Sequence, residues 1–220
     1  MLSDADKASL QRKLAAEMKD DVTLLIFADD GFSVATELSA MASEMAGLSP
    51  KVKVEIEKVV EGKNQRMRDL RIEHFPSLVL TKNDFTRIRY YGVPGGYELP
   101  PIVDAIVELS ASRTPLSPAT KASLATVRRK ANIKIFVLTT CTFCPIVARH
   151  AYRAAIESPR VTAEIFDSQV FLDLAARHSV MGVPKIILND NTDITGAIQE
   201  AEFFQKLKDS DISQIDSMFG

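Results

Sequence analysis

Two cysteines, Cys141 and Cys144, are the residues of this 220-residue chain whose types and spacing point most directly to chemistry. They are the only cysteines in the sequence, and Pro145 follows the second of them directly in the stretch VLTTCTFCPIV. Two thiols separated by two residues can attack a disulfide bond and then close into an intramolecular disulfide. The spacing therefore predicts a catalytic dithiol.

The elements around the motif would set the properties of each thiol. The apolar run over residues 133–139 predicts a strand leading into Cys141, and the residues from Cys144 onward predict a helix. Cys141 is therefore expected at a helix N-terminus, where unpaired N–H groups and the helix dipole favour the thiolate. Cys144 is expected one turn deeper, less exposed, as the thiol that resolves a mixed disulfide. Pro145 suits the first helical turn, where its missing N–H leaves no bond unmade.

The whole chain repeats one order of elements, β-α-β-(α)-β-β-α, in each half. The elements predicted in the first half are helices over 5–18, 32–47 (with Gly47 as its C-cap) and 97–110, and strands over 22–28, 51–59, 77–81 and 87–91. Those predicted in the second half are helices over 118–130, 144–158, 168–178 and 201–209, and strands over 133–139, 161–167, 185–189 and 192–196.

The two halves also share landmarks. Asp30 aligns with Cys141, and the same register pairs Phe32 with Phe143 and Ser33 with Cys144. A proline that opens an apolar strand follows 46 residues after Asp30, in FPSLVL, and 43 residues after Cys141, in VPKIIL. With the Pro-rich linker SRTPLSPAT between the halves, we predict a duplicated fold: residues 1–112 without cysteines and redox-inert, and residues 113–220 with the dithiol.

The later proline predicts a second part of the site. We hypothesise that the Val183–Pro184 bond is cis and lies beside the cysteine pair, because a proline ahead of a strand frees neighbouring backbone groups for a substrate segment. The same argument predicts a cis Phe75–Pro76 bond in the other half. The predicted substrate-binding residues are Thr142, Phe143, Pro145, Val183 and Pro184.

The strand–CxxC-P–helix, the stretch VMGVPKIIL and the order of elements resemble the thioredoxin fold. Together with IRYYGVPGGYE, LSPATKASL and FVLTTCTFCP, the tandem arrangement resembles the glutaredoxin-like protein disulfide oxidoreductases. It is also similar to the N-terminal region of the alkyl hydroperoxide reductase flavoprotein subunit. The resemblance implies an α/β protein of two tandem thioredoxin-like folds, joined in one continuous mixed sheet.

The same resemblance implies a function. It makes Cys141 the nucleophile, Cys144 the resolving thiol and Pro184 a cis proline in an enzyme that reduces protein disulfides, with those of a peroxiredoxin as one candidate. It implies no bound cofactor and electrons from a separate flavin-dependent, thioredoxin-reductase-like enzyme. Many stand-alone members carry a CxxC in each half, whereas this chain has DGFS at residues 30–33. The alternative function is a thioredoxin-like binding module or chaperone with redox-sensing thiols.

Composition excludes other classes of function. Lys and Arg number 27 against 29 Asp and Glu, a balance that argues against a nucleic-acid partner. The charged N-terminus lacks the apolar core of a signal peptide, and no run approaches the ~18 apolar residues of a membrane span, so we expect a cytoplasmic protein. The three histidines, His74, His150 and His178, lack zinc-ligand spacing, so no metal site is expected.

Several polar residues have structural interpretations that compete with catalytic ones. His150 is expected on the surface, and His178 at the end of a helix. Glu164 is a candidate buried proton acceptor, but an exposed edge position is favoured for it. The pair Asp29 and Asp30 is expected to cap a helix. Phe203 and Phe204 are candidates for the core.

Overall fold

The computed structural model describes residues 3–29, 31, 33–61 and 63–216, the last six of these as backbone only. Its helices are α1 (Asp4–Glu17), α2 (Ser33–Leu48), α3 (Gln65–Leu70), α4 (Leu99–Ser110), α5 (Pro118–Ala125), α6 (Cys144–Glu157), α7 (Leu172–Arg177) and α8 (Glu200–Asp216). Its strands are β1 (Val22–Ala28), β2 (Val52–Lys58), β3 (Ser77–Lys82), β4 (Phe85–Tyr91), β5 (Ala131–Val137), β6 (Val161–Asp167), β7 (Lys185–Leu188) and β8 (Thr192–Thr195).

The strands form one mixed sheet in the order β2-β1-β3-β4-β6-β5-β7-β8. Within each half the first two strands are parallel and the last two pair antiparallel, so β1 to β4 and β5 to β8 repeat one arrangement. The halves join where β4 pairs with β6 in parallel, from Ile88 opposite Ala163 to Tyr91 opposite Phe166. The predicted tandem fold with a single continuous sheet is confirmed.

Alternating side chains of the strands build a core on each face of this sheet. In β1, Leu24 and Ile26 belong to the larger core, which includes side chains of α2, α4, α6 and α8. Leu25 and Phe27 point to the smaller core, which includes side chains of α3 and α7. Both cores contain residues of both halves. The two folds therefore share their hydrophobic cores and are not independent domains.

Ion pairs between helices of different halves add to the contact between the halves. Arg149 on α6 binds Asp104 on α4 with a nitrogen–oxygen distance of 2.7 Å, and Arg153 binds Glu108 at 2.8 Å. All four side chains are partly buried. An ion pair with good geometry contributes more to stability in such a place than at the open surface. The α4–α6 contact thus fixes the helix that begins at the dithiol against the half that lacks cysteines.

Glu164 does not lie on an exposed edge, so that expectation was wrong. It lies in β6, in the middle of the sheet, with 8% of its surface exposed. Its carboxylate accepts hydrogen bonds from Arg89 (3.0 Å), Tyr91 (2.8 Å) and Asn132 (2.8 Å). The pairing of β4 with β6 explains the difference, because it turns the edge strand of a single thioredoxin-like fold into an interior strand.

The linker between the halves is packed against the protein. Between α4 and α5 the Thr114 N–H donates to the Glu157 carboxylate at 3.2 Å, and Thr114 and Leu116 are both buried. The division at residues 112 and 113 falls inside this connection, and we keep it as a proposal about where the two folds divide.

Some predicted boundaries were wrong for local reasons. Helix α5 ends at Ala125, not at 130, and the strand after it begins at Ala131, because that residue already pairs with β6. Gly47 lies inside α2 and does not cap it. Helix α7 begins only at Leu172, because Asp167 accepts the N–H groups of three following residues in a turn: Gln169, Val170 and Phe171.

The joint between the halves leads to a prediction for the isolated second half. Residues 113–220 on their own would expose the unpaired edge of β6 and the apolar surface that α6 packs against α4. We expect this fragment to unfold at a lower urea concentration than the full chain, or to aggregate. Urea unfolding and light scattering check this, and a fragment as stable and monomeric as the full chain would contradict it.

Candidate active site

The two cysteines lie where β5 leaves the sheet and α6 begins. They are joined by a disulfide bond, with 5.6 Å between their Cα atoms. Cys144 is the first residue of α6, as Ser33 is the first residue of α2, so this part of the repeat alignment is confirmed. Asp30 and Phe32, the counterparts of Cys141 and Phe143, lie outside the described residues.

The environment of the two sulfurs differs as the sequence predicts. The Cys144 N–H, one of the free donors of the first turn of α6, lies 3.1 Å from the Cys141 sulfur. Cys141 is partly exposed, whereas Cys144 is fully buried in the larger core. The helix N-terminus therefore faces the outer sulfur, which is where a thiolate of the reduced form would be stabilised. The catalytic roles of the two residues remain a prediction at this point.

A loop of the second half faces the outer sulfur. The Val183 carbonyl oxygen lies 4.0 Å from the Cys141 sulfur, and both the Val183–Pro184 and Phe75–Pro76 bonds are cis, as predicted. Lys185, almost fully buried, holds the start of this loop, because its Nζ donates to the His178 carbonyl at 2.5 Å. The same Nζ pairs with Asp193 at 2.8 Å.

The predicted substrate-binding residues differ in exposure. Thr142 and Phe143 are exposed, Phe143 by 63%, and Val183 is partly exposed. Pro145 and Pro184 are buried and line the base of the site rather than its surface. The structure brings all five residues close to the disulfide in sequence or in space, and their contact with a substrate stays a prediction.

Glu98 is a buried carboxylic acid near the site that sequence reasoning missed. Its exposed surface is 0%, and neither carboxylate oxygen has a hydrogen-bond partner among the described residues. Burial raises the pKa of Glu98 to about 8, with Arg149 lowering it and Asp167 raising it. Asp167 is itself largely buried, and burial raises its pKa as well. The raised pKa favours the protonated form of the Glu98 carboxyl at neutral pH.

The position of Glu98 connects it to the dithiol loop. Residues Gly96–Glu98 form a short 3₁₀ turn between β4 and α4. The Tyr97 N–H donates to the Thr139 carbonyl oxygen at 2.9 Å, and Thr139 lies two residues before Cys141. In the sequence Glu98 looks like an acid in the first turn of a helix, where the dipole favours it on the surface. Its burial comes from tertiary packing, in which this turn contacts both α4 and α6.

Two further sequence expectations, for His150 and Asp29, need correction, whereas the placing of His178 at a helix end is confirmed. His150 is not on the surface: it is 8% exposed, its ring lies 5.4 Å from that of Phe203, and burial lowers its pKa. His178 does end α7, but burial lowers its pKa and disfavours the charged form that would suit the dipole. Asp29 caps no helix among the described residues; its carboxylate accepts the Gly31 N–H at 3.1 Å in a local turn. Phe203 and Phe204 are buried, as predicted.

The described residues contain neither a metal-binding cluster nor a membrane-spanning helix. No group of three or more His, Cys, Asp or Glu side chains is close enough there to hold a metal ion. No helix in that part of the chain combines the length and the apolar character that a membrane crossing needs.

Comparison with known proteins now gives this site its context. The thioredoxin domain family matches the segment that carries the cysteines and the cis proline. The match to the thioredoxin domain spans residues 131–209. With the disulfide of Cys141 and Cys144 at the start of its first helix, this domain has the fold and the dithiol of a thiol–disulfide oxidoreductase.

The whole chain also has relatives with the tandem arrangement. A component of the alkylhydroperoxide reductase of Enterococcus faecalis superposes with a TM-score of 0.87 at 28% identity, covering 94% of this chain and 99% of that one. A protein disulfide oxidoreductase from Aeropyrum pernix superposes with a TM-score of 0.84 at 23% identity, covering 94% and 93% of the two chains. The second likeness shows the fold alone.

A curated relative, an NADH dehydrogenase of Bacillus subtilis, is 20% identical over 209 residues, which cover 94% of this chain but 38% of that protein. The chain thus spans little more than a third of the length of the curated relatives it matches. The similarity to the tandem disulfide oxidoreductases and to the peroxide-reductase component, expected from the sequence, is confirmed.

The buried acid leads to a prediction about pH. The pKa of Glu98 rises from 4.5 to about 8 on folding, so its contribution to stability is fully present below pH 4.5 and is lost as the pH rises through about 8. The wild type should lose up to about 1.4 kcal/mol of unfolding free energy per pH unit across this window relative to Glu98→Gln, which cannot ionise. Urea unfolding from pH 5 to 8.5 measures the difference.

The matched control for this comparison is Glu37→Gln, which neutralises an exposed carboxylate on α2. Its unfolding free energy should follow that of the wild type at every pH. If Glu98→Gln also ran parallel to the wild type, the Glu98 carboxyl would not be protonated in the folded state.

Proposed function

We propose that this chain reduces protein disulfides through the dithiol of Cys141 and Cys144. The observation that carries the proposal is the unequal placing of the two sulfurs. The outer sulfur is partly exposed and lies 3.1 Å from a helix N–H, while the inner one is buried directly behind it. One thiol is thus available to a partner, and the other is shielded from it.

The reaction begins with the reduced chain. The Cys141 thiolate attacks one sulfur of the partner's disulfide, the partner's S–S bond breaks, and the departing sulfur takes up a proton as a thiol. This leaves a mixed disulfide between Cys141 and the partner. The Cys144 sulfur, after losing its proton, attacks Cys141 and displaces the second thiol of the partner. Two electrons have then moved to the partner, and the chain holds the disulfide present in the structure.

Residues 1–112 take no direct part in this exchange in our proposal. They lack cysteine, and we assign them the part of a scaffold and docking surface for residues 113–220. The backbone and side chains that border the disulfide, at Thr142, Phe143, Pro145, Val183 and Pro184, are the proposed substrate-binding residues. The nearness of the Val183 carbonyl to the Cys141 sulfur supports this assignment.

Partners are proposed from the relatives. One relative is a component of an alkylhydroperoxide reductase and another is named an NADH dehydrogenase, and each curated match is far longer than this chain. These likenesses support a peroxiredoxin as a substrate. They also support a separate flavin-dependent, thioredoxin-reductase-like enzyme as the electron donor, with no cofactor bound to this chain. We propose the cytoplasm as the place of action, since dithiols of this kind work where the compartment keeps thiols reduced.

The alternative, a thioredoxin-like binding module or chaperone with redox-sensing thiols, makes a different prediction for turnover. In our proposal, the wild type should accelerate the reduction of insulin disulfides by dithiothreitol, and Cys141→Ser should abolish the acceleration. Turbidity of the released insulin B chain measures the rate. Ser123→Ala, a change in α5, serves as the control and should keep the wild-type rate. A wild type without any acceleration would favour the binding module.

The assignment of the two thiols has its own test. In the reduced protein at pH 6, iodoacetamide should label Cys141 well before Cys144, because the outer sulfur is exposed and faces the helix N–H groups. Mass spectrometry of tryptic peptides from a time course measures the order. Labelling of Cys144 first would reverse the roles of nucleophile and resolving thiol.

A further inference from the structure

We propose that Tyr97, in the half that lacks cysteines, is a specificity-determining contact for protein substrates, so that both halves bind the substrate at once. This inference rests on the proposed function and adds a residue that the dithiol motif does not contain. Its basis is a turn of the first half that is fixed against the loop leading to Cys141.

The turn is held by two backbone contacts. Gly96 has a φ of +52°, and a Cβ atom at this position would overlap the Thr139 carbonyl oxygen, so glycine is required for the approach. The next residue donates its N–H to the same oxygen, at 2.9 Å. Because Thr139 lies only two residues before Cys141, these contacts fix the position of Tyr97 relative to the dithiol.

The side chains of this turn are divided between core and solvent. Glu98 is fully buried, whereas 51% of the Tyr97 side chain is exposed. A tyrosine has only two side-chain torsions and offers a large apolar surface with a polar tip, which makes it a frequent anchor in protein interfaces. A half-exposed ring on a rigid turn therefore loses little conformational freedom when a partner covers it.

Tyr97 is one of several exposed apolar residues on the segments that border the disulfide. Among the described residues seven large apolar side chains are strongly exposed, and four of them lie on the segments that meet at the dithiol: Tyr97, Phe143, Ile146 and Met181. Met181, on the loop facing Cys141, is 96% exposed. Exposed large apolar side chains on segments that converge at one site are typical of an interaction surface.

The charges beside this surface indicate what kind of segment it takes. Arg149 on α6 is paired with Asp104, and Lys185, after the loop facing Cys141, is paired with Asp193, so these two cations are already matched within the chain. We therefore assign the surface to an apolar segment that flanks the disulfide of a protein substrate. A small disulfide compound would reach Cys141 without covering Tyr97.

Two substrates separate docking from chemistry. Insulin serves as the protein disulfide and 5,5′-dithiobis(2-nitrobenzoate) as the small one, each with the reduced wild type, Tyr97→Ala, Tyr97→Phe and Ile56→Ala. We expect Tyr97→Ala to lower kcat/KM for insulin roughly five- to tenfold, mainly through KM, as expected for loss of an interface anchor. Its rate with the small disulfide should stay at the wild-type value, and Tyr97→Phe should retain most of the insulin activity.

Ile56→Ala is the matched control, because Ile56 is an apolar residue of the same half with 54% exposure on β2, at the far edge of the sheet. It should leave both rates unchanged. An unchanged insulin rate in Tyr97→Ala, or an equal loss in Ile56→Ala, overturns the docking contact. An equal loss of Tyr97→Ala on both substrates assigns Tyr97 to the integrity of the dithiol loop instead.

The same measurements keep the two proposals apart. If the wild type reduces both insulin and the small disulfide, and Tyr97→Ala matches it on both, only the docking contact is ruled out. If the wild type reduces neither substrate, the proposed function is ruled out, and the docking contact is ruled out with it.

Discussion

The parallel pairing of β4 with β6 is the contact on which the rest of this structure depends. It joins two four-stranded sheets into one, and it covers an edge that each fold would otherwise expose. Along this joint Arg89 lies opposite Glu164, and their side chains form a largely buried ion pair at 3.0 Å. The ring of Tyr91 stacks on that of Phe166 with 4.4 Å between the centroids. Backbone, charge and aromatic contacts thus act at the same place.

This pairing of the sheets explains why the half without cysteines contacts the loop that leads to the dithiol. With the sheets fixed edge to edge, the turn that follows β4 reaches the loop that follows β5, and the Tyr97 N–H binds the Thr139 carbonyl oxygen. Packing of this turn against α4 and α6 buries Glu98, and burial raises its pKa. The first half has no cysteine, yet it supplies a buried acid and an exposed aromatic residue on a turn that contacts the loop before Cys141.

The two cysteines have the different surroundings that the two steps of dithiol exchange require. The fold places one sulfur at the first turn of α6, within reach of the Cys144 N–H, and encloses the other in the core. Lys185 fixes the loop opposite by binding the carbonyl at the end of α7. The match to the thioredoxin domain covers this part of the chain, which contains both cysteines and Pro184.

The sequence by itself determined the local features of this protein. The periodicity of apolar residues identified the repeated strands, the spacing of Cys141 and Cys144 identified the dithiol, and VPKIIL identified the proline that faces it. These signals are short-range, because a strand, a helix start and a turn each depend on a few neighbouring residues. The predicted difference in exposure between the two cysteines followed from the same local geometry and agrees with the structure.

Only the tertiary structure decided which of the polar side chains are buried. Glu164, expected on an exposed edge, is buried because β4 covers β6, and His150, expected at the surface, is buried against Phe203. Glu98 looked like an ordinary acid at a helix start and became a buried one with a pKa of about 8. The burial of a charged side chain depends on what packs over it from a distant part of the chain. No local pattern in the sequence carries that information.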